Sequence, residues 1–232
     1  MEIRYVFDVL SPYACLAWHV LQRYKDIWKF DLVLQPVFLG GIMKGSGNKP
    51  PATVPARGIF LFNDLEKNSS LFEVPILPSP NNFFSEVAAK VLMIQRLIVA
   101  AQLDGAVDVE ALITSFTKAI HLDQSFRTES NDLKINEEFI STCCANAGLD
   151  STTTSRLMKA STSPEAKAGL IENTEAALEA NAFGVPTFLI KMDAQSDPIF
   201  FFGSDRFEQM AHVCNLPYYG PVPDRPSVKS SL

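Results

Sequence analysis

The alternating run Ile3-Arg4-Tyr5-Val6-Phe7 near the start of the chain predicts a β-strand. Apolar positions then move to helical spacing. Leu16, Val20 and Leu21 share one face of a helix running from Cys15 through Tyr24. Alternation returns over Phe30 to Phe38, with Leu32 and Leu34 on one face and Asp31, Val33 and Gln35 on the other. Four glycines and two prolines between Gly40 and Pro51 predict a loop. Ile59, Phe62 and Leu65 predict a helix from Pro55 to Leu71, and three prolines between Val74 and Asn82 predict a stiff loop carrying apolar side chains. Residues 85–177 read as nearly all helix. Ser85 to Leu103 carries Val91, Ile94, Leu97, Ile98 and Ala101 at helical spacing; Val107 to His121, Asn136 to Asn146 and Ser151 to Ala160 follow. Ser163-Pro164-Glu165 opens one more helix, to Asn181. Strands return at Val185 to Met192 and Ile199 to Phe202, joined by a turn ending Ser196-Asp197-Pro198, before a last helix from Phe207 to Cys214.

The order is therefore βαβ, a helical block, then α-β-β-α. An α/β fold in which a thioredoxin-like domain is split by an all-helical insertion domain gives this order. The expected division is 1–60 with 180–220 for the thioredoxin-like part, 61–179 for the insertion and 221–232 for an extended C-terminal tail.

Composition narrows the function classes. Hydrophobic residues make up 47% of the 232 residues, enough for a sizeable core. No apolar run reaches the length of a membrane span, so membrane insertion is not expected. A net charge of -6 argues against a nucleic-acid surface, which needs a basic stripe. Cys15, Cys143, Cys144 and Cys214 lack metal-type spacing, and the adjacent pair is badly placed for a disulfide. His19, His121 and His212 are isolated, so no metal site is expected. Lys229-Ser230-Ser231-Leu232 ends in a tripeptide similar to the peroxisomal Ser-Lys-Leu address without its basic centre. A peroxisomal or mitochondrial compartment is the expectation, with a cytosolic one as the alternative.

Three short segments carry candidate chemistry. Ser11 sits where an N-cap belongs, with Pro12 at the first helical position. A thioredoxin-like fold keeps a Cys-x-x-Cys pair there, its first thiolate held by the helix end. Here those positions are Ser11 and Ala14, so the anion site remains without the protein's own redox pair. The place suits a thiolate brought by a ligand. Phe183-Gly184-Val185-Pro186 stands where such a fold sets a cis-proline, leaving the Val185 backbone to pair with an extended ligand. Gly203-Ser204-Asp205-Arg206 is expected at another helix N-terminus, its N–H groups suited to a carboxylate and Asp205 to an amine. Glutathione presents a thiol, a peptide edge and an amino-acid head, plus a glycine carboxylate that Lys44, Lys49 or Arg57 could answer.

The residues match a known family at this point. Asp8-Val9-Leu10-Ser11-Pro12-Tyr13, Gly41-Ile42-Met43, Ser46-Gly47-Asn48-Lys49-Pro50-Pro51, Asn63-Asp64-Leu65, Ala182-Phe183-Gly184-x-Pro186 and Phe202-Gly203-Ser204-Asp205-Arg206 together resemble kappa-class glutathione transferases across nearly the whole chain. The resemblance implies a homodimer using glutathione as co-substrate, with no metal. It implies Ser11 as the catalytic hydroxyl, Pro12 and Tyr13 lining the glutathione site, Asn48 binding glutathione, Val185 and Pro186 at the backbone-pairing position, and Ser204 and Asp205 gripping the γ-glutamyl head. Arg57 stands where relatives often carry lysine, Val185 where they carry leucine, and Ala14-Cys15 where they often have Ser-Trp. The implied reaction is conjugation of the glutathione thiolate to small hydrophobic electrophiles, with Met43, Phe60 and the Val74–Pro80 stretch as acceptor walls. A glutathione peroxidase activity fits the same residues. The alternatives are a glutathione-dependent isomerase of the 2-hydroxychromene-2-carboxylate type and a non-catalytic carrier of glutathione or hydrophobes.

Overall fold

The computed structural model describes residues 1–224 of the chain. The Ser-Ser-Leu tripeptide lies outside the described residues. A four-stranded sheet is built from both ends of the chain: β1 (Glu2–Phe7), β2 (Asp31–Pro36), β3 (Thr187–Lys191) and β4 (Ile199–Phe202), in the order β2-β1-β3-β4. β1 pairs parallel with β2 through a crossover helix, α1 (Pro12–Trp28), and antiparallel with β3. Between β2 and β3 run α2 (Leu39–Ser46), α3 (Pro55–Phe72), α4 (Ala88–Asp104), α5 (Val109–His121), α6 (Glu137–Asn146), α7 (Ser151–Ala160) and α8 (Pro164–Glu179). A π-helical turn, Phe83–Val87, leads into α4, and α9 (Phe207–Val213) follows β4.

The strand alternation places two cores. Ile3, Tyr5 and Phe7 point into the larger one with the apolar face of α1 and with α4, α5 and α6. Val6 points the other way, into a smaller cluster with Ile42 of α2, Ala177 of α8, Val37, Ala182 and Val185. So α8, the last helix before the chain returns to the sheet, covers a sheet face together with α2. Tyr5 spends its buried hydroxyl on the Ala14 carbonyl at 2.7 Å, pinning the first turn of α1 to β1.

The Gly40–Pro51 segment departs from expectation. Most of it is α2, a helix that Gly47 ends in the left-handed region at φ 77°. A Cβ on Gly45 would come within 2.5 Å of Leu178 Cδ1, and one on Gly41 within 3.1 Å of Thr174 Cγ2. These glycines let α2 lie close on α8. Local propensity reads them as breakers; tertiary packing uses them as clearance. At the C-terminal end, the chain after α9 lies along α1. Trp28 Nε1 donates to the Pro217 carbonyl and the Tyr24 hydroxyl to that of Gly220, both at 2.7 Å.

Candidate active site

Asp8 to Ser11 forms the turn between β1 and α1, closed by Ser11 N–H donating to the Asp8 carbonyl at 3.0 Å. The Asp8 side chain accepts from Leu10 N–H and from Leu39 N–H, both at 2.9 Å. One carboxylate therefore ties the turn to the first residue of α2. Burial pushes the Asp8 carboxyl up to about 6, against the lowering effect of those two donors.

Ser11 is the N-cap of α1. Its Oγ accepts from Ala14 N–H at 3.2 Å, and Pro12 fills the first helical position. That bond uses the oxygen as an acceptor and leaves the hydroxyl its own hydrogen to donate. The hydrogen faces the Val185 carbonyl at 3.4 Å, a long and weak contact. The Val185–Pro186 peptide is cis. The Pro186 carbonyl accepts from Gly203 N–H at 3.0 Å, which seats the Gly203-Ser204-Asp205 turn beside it.

Asn48 reaches the same region. Its Nδ2 donates to the Phe183 carbonyl at 2.7 Å, joining the segment after α2 to the approach to Pro186. Tyr13 donates its hydroxyl to Asp64 Oδ2 at 2.6 Å, and Asn68 Nδ2 donates to the same oxygen at 2.9 Å. Partial burial, Asp64 and the charge of Asp205 together push the Tyr13 phenol far up. Tyr13 therefore stays protonated and locks the start of α1 to α3.

The structure thus gathers Ser11, Val185, Pro186, Asn48 and the Ser204–Asp205 turn around the start of α1. Ser204 is buried and Asp205 exposed, its carboxylate 3.3 Å from Arg206. These two residues occupy the turn that leads into α9, as expected: the cap is Arg206, and Gly203 at φ 111° makes the bend that precedes it. Arg57 lies exposed in the first turn of α3, and Lys44 and Lys49 are also exposed. Met43 is half-buried on α2, whereas Phe60 is 65% exposed on α3.

The four cysteines are all buried and free. Cys15 points into the core with its thiol driven far up by burial, which removes it from redox chemistry. Among the described residues, no group of three or more His, Cys, Asp or Glu side chains is placed to hold a metal ion. No helix among them is long and apolar enough to cross a membrane.

Comparison with known proteins agrees with this geometry. Residues 2–214 match the model of the DSBA-like thioredoxin domain. Human glutathione S-transferase kappa 1 is 33% identical over 97% of this chain and 95% of its own. The chain belongs to the kappa glutathione S-transferase family. The rat protein of the same name is 33% identical over 94% of this chain and 92% of its own, and a Caenorhabditis elegans one is 30% identical over 97% and 94%. Among solved structures, 2-hydroxychromene-2-carboxylate isomerase superposes with a TM-score of 0.69 at 18% identity, covering 93% of this chain and 95% of that one. A cytosolic disulfide reductase, DsbM from Pseudomonas aeruginosa, superposes with a TM-score of 0.56 at 15% identity, covering 97% and 94%. At those identities the likeness is one of fold.

For this kappa-family chain, sequence reading missed the second layer behind Ser11. Gln95 is fully buried on α4 and His121 buried at the end of α5. Gln95 interrupts the apolar face Val91–Ile94–Ile98, and a polar side chain there needs partners. That interruption was the available signal.

Proposed function

We propose that this chain binds glutathione with its sulfur at the start of α1, keeps the thiol ionised there, and conjugates it to small hydrophobic electrophiles. The observation that carries the reading is the Ser11 hydroxyl. Its oxygen is held by Ala14 N–H while its hydrogen makes only a 3.4 Å contact. Redirecting that hydrogen to a sulfur sacrifices little. A free thiol titrates near ~8.5, and a helix start with a hydroxyl donor lowers this; a fall of ~2 units corresponds to about 2.7 kcal/mol of preferential stabilisation of the thiolate. Ser11 acts as a hydrogen-bond donor. It is not the nucleophile, since its hydrogen-bond partners are the Val185 carbonyl and Ala14 N–H, neither of them a base. The thiolate attacks the electrophilic carbon, and the site holds the two reactants together.

In this reading the Val185 backbone pairs with the peptide edge of glutathione. Ser204 and Asp205 take the γ-glutamyl head, Pro12 and Tyr13 form a wall, and Asn48 contacts the tripeptide from the α2 side. Arg57 answers the glycine carboxylate from the solvent side.

The test is Ser11→Ala, followed by ultraviolet titration of bound glutathione and by conjugation to a chloronitrobenzene acceptor. The bound thiol should titrate close to the free value and conjugation at neutral pH should fall about tenfold or more, as the loss of about two units in thiol pKa requires. Unchanged titration and rate reject the role. Recovery of unconjugated glutathione with an isomerised product favours the isomerase alternative, and binding without turnover favours a carrier.

The chain is further read as a homodimer. Of the 18 residues of α3 only Gly58 and Phe72 are buried, while Ile59, Phe60 and Phe62 are 66%, 65% and 53% exposed. A second copy covering this helix would remove that apolar surface from water. Sedimentation of Phe60→Asp against the native chain tests it; a native monomer, or a variant as dimeric as the native chain, counts against this face.

A further inference from the structure

Val9 lies in the middle of the Asp8–Ser11 turn, two residues before the hydroxyl, and the chain next to it makes no sheet bond with either of its polar groups. Both groups are taken by side chains from the helical insertion. Val9 N–H donates to Gln95 Oε1 at 3.3 Å, and the Val9 carbonyl meets His121 Nε2 at 2.8 Å. The carbonyl only accepts, so Nε2 carries the hydrogen. Burial and the neighbouring Arg127 pull the His121 imidazole down to about 4, so it is neutral in ordinary buffers and held as the Nε2–H tautomer.

Each of these side chains does a second task. Gln95 Nε2 donates to the Phe7 carbonyl at 3.0 Å and to the Val37 carbonyl at 2.8 Å, bridging the ends of β1 and β2. All the hydrogen-bonding capacity of its amide hydrogens is used at the sheet edge from which the turn departs. The His121 carbonyl accepts from Leu77 N–H at 2.8 Å, so the same residue holds the Val74–Pro80 stretch.

We propose that Gln95 and His121 are positioning residues, through which the helical insertion sets the angle and height of the Ser11 hydroxyl. The inference rests on the reading of Ser11 as thiolate donor given above. Neither side chain touches the ligand. They act through Val9: if its carbonyl swings, the turn rotates and the Ser11 oxygen leaves the line between Ala14 N–H and the incoming sulfur. Hydrogen-bond strength falls steeply with angle, so a small rotation is enough. The insertion thereby couples the acceptor-side stretch at Leu77 to the thiolate site through one residue.

The experiment compares His121→Leu with His121→Gln, whose amide can still donate to the Val9 carbonyl. In His121→Leu the bound glutathione thiol should titrate about half a unit higher, a roughly twofold loss of thiolate at the native midpoint. Its rate should therefore be about twofold low at the native midpoint, approach about threefold low below it, and converge with the native rate at high pH, where both thiols are ionised. His121→Gln should restore the native profile. A pH profile of His121→Leu identical to the native one overturns the proposal, as does a uniform rate loss that His121→Gln does not repair. The native chain supplies a measurement that needs no variant. The His121 ring nitrogen resonances should be those of a neutral Nε2–H imidazole both in the free chain and with glutathione bound; the resonances of an Nδ1–H tautomer or of an imidazolium in the complex overturn the proposal. A native complex whose thiol titrates at the free value counts against the Ser11 reading itself, and so separates that failure from this one.

Discussion

The Ser11 hydroxyl stands 3.4 Å from the Val185 carbonyl oxygen, joining the start of α1 to the cis-proline turn 174 residues later. The two groups come from the opposite ends of the sheet's sequence and meet only because β1 lies between β2 and β3. This pairing leaves the hydroxyl hydrogen lightly held at a helix N-terminus, which is what stabilisation of a thiolate requires.

Ser11→Cys should convert that site to visible thiol chemistry. The helix end should lower the introduced thiol by about a unit or more from the free value of ~8.5. With oxidised glutathione, the new thiolate attacks one sulfur of the disulfide. It forms a mixed disulfide and releases one glutathione as thiolate. Ala14 offers no second sulfur to resolve it, so the adduct should persist until a dithiol reductant is added. Intact mass should rise by one glutathionyl group at neutral pH. A variant that stays unlabelled would show that the start of α1 does not ionise sulfur.

The sheet, α1 and the turn residues around Ser11 were legible in the sequence because local signals agree there. Alternation, an N-cap and a proline at the first helical position all point to the same geometry. Ile199–Phe202 and Ser151–Ala160 match their predicted bounds. Two things were not legible. α2 was hidden because its glycines serve contacts with Thr174 and Leu178, more than 120 residues away along the chain. The polar break at Gln95 signals that partners exist, but the partners of Gln95 and His121 are backbone groups 86 and 112 residues distant, and no local pattern reports which they are. The last helix begins at Phe207 as expected, with Arg206 as its cap and the bend at Gly203 setting Ser204 and Asp205 just ahead of it.

Tyr13 is close enough to Ser11 to be mistaken for a second thiolate donor. Its hydroxyl is already committed to Asp64 at 2.6 Å, and the phenol is held protonated. Tyr13→Phe should therefore cost stability, about 0.5–1.5 kcal/mol for one lost hydrogen bond, and leave the pKa of the bound thiol in place. Chemical denaturation and the thiol titration read the two effects separately. A raised thiol pKa in Tyr13→Phe would assign the phenol a direct part in holding the sulfur.

Burial raises all four cysteine thiols, with Cys143 pushed up to about 12. A thiol-specific chromogenic reagent should find almost none of them in the native chain within minutes and all four in denaturant. One fast-reacting thiol in the native state would return a redox role to a cysteine of this chain.

Asp8 and His121 flank Val9 and place opposed demands on pH. Burial raises Asp8 from 3.8 to about 6, so between those values the folded chain keeps a proton that the unfolded chain has lost. Its stabilising effect is complete below 3.8 and is lost as pH rises through 6. His121 runs the other way. Lowered from 6.5 to about 4, it leaves the folded chain without a proton that the unfolded chain binds, so stability is present above 6.5 and lost as pH falls through 4. Each shift corresponds to about 3 kcal/mol, so in the native chain the two slopes largely cancel between pH ~4 and ~6. His121→Gln should uncover the Asp8 slope: relative to the native chain, it should gain about 3 kcal/mol as pH falls from ~6.5 to ~4. Asp8→Asn should show the opposite difference, gaining on the native chain as pH rises from ~4 to ~6. Urea unfolding at closely spaced pH values measures both. A pH-independent difference between His121→Gln and the native chain would mean that His121 titrates alike in the folded and unfolded states, and the neutral imidazole that holds the Val9 carbonyl would have to be given up.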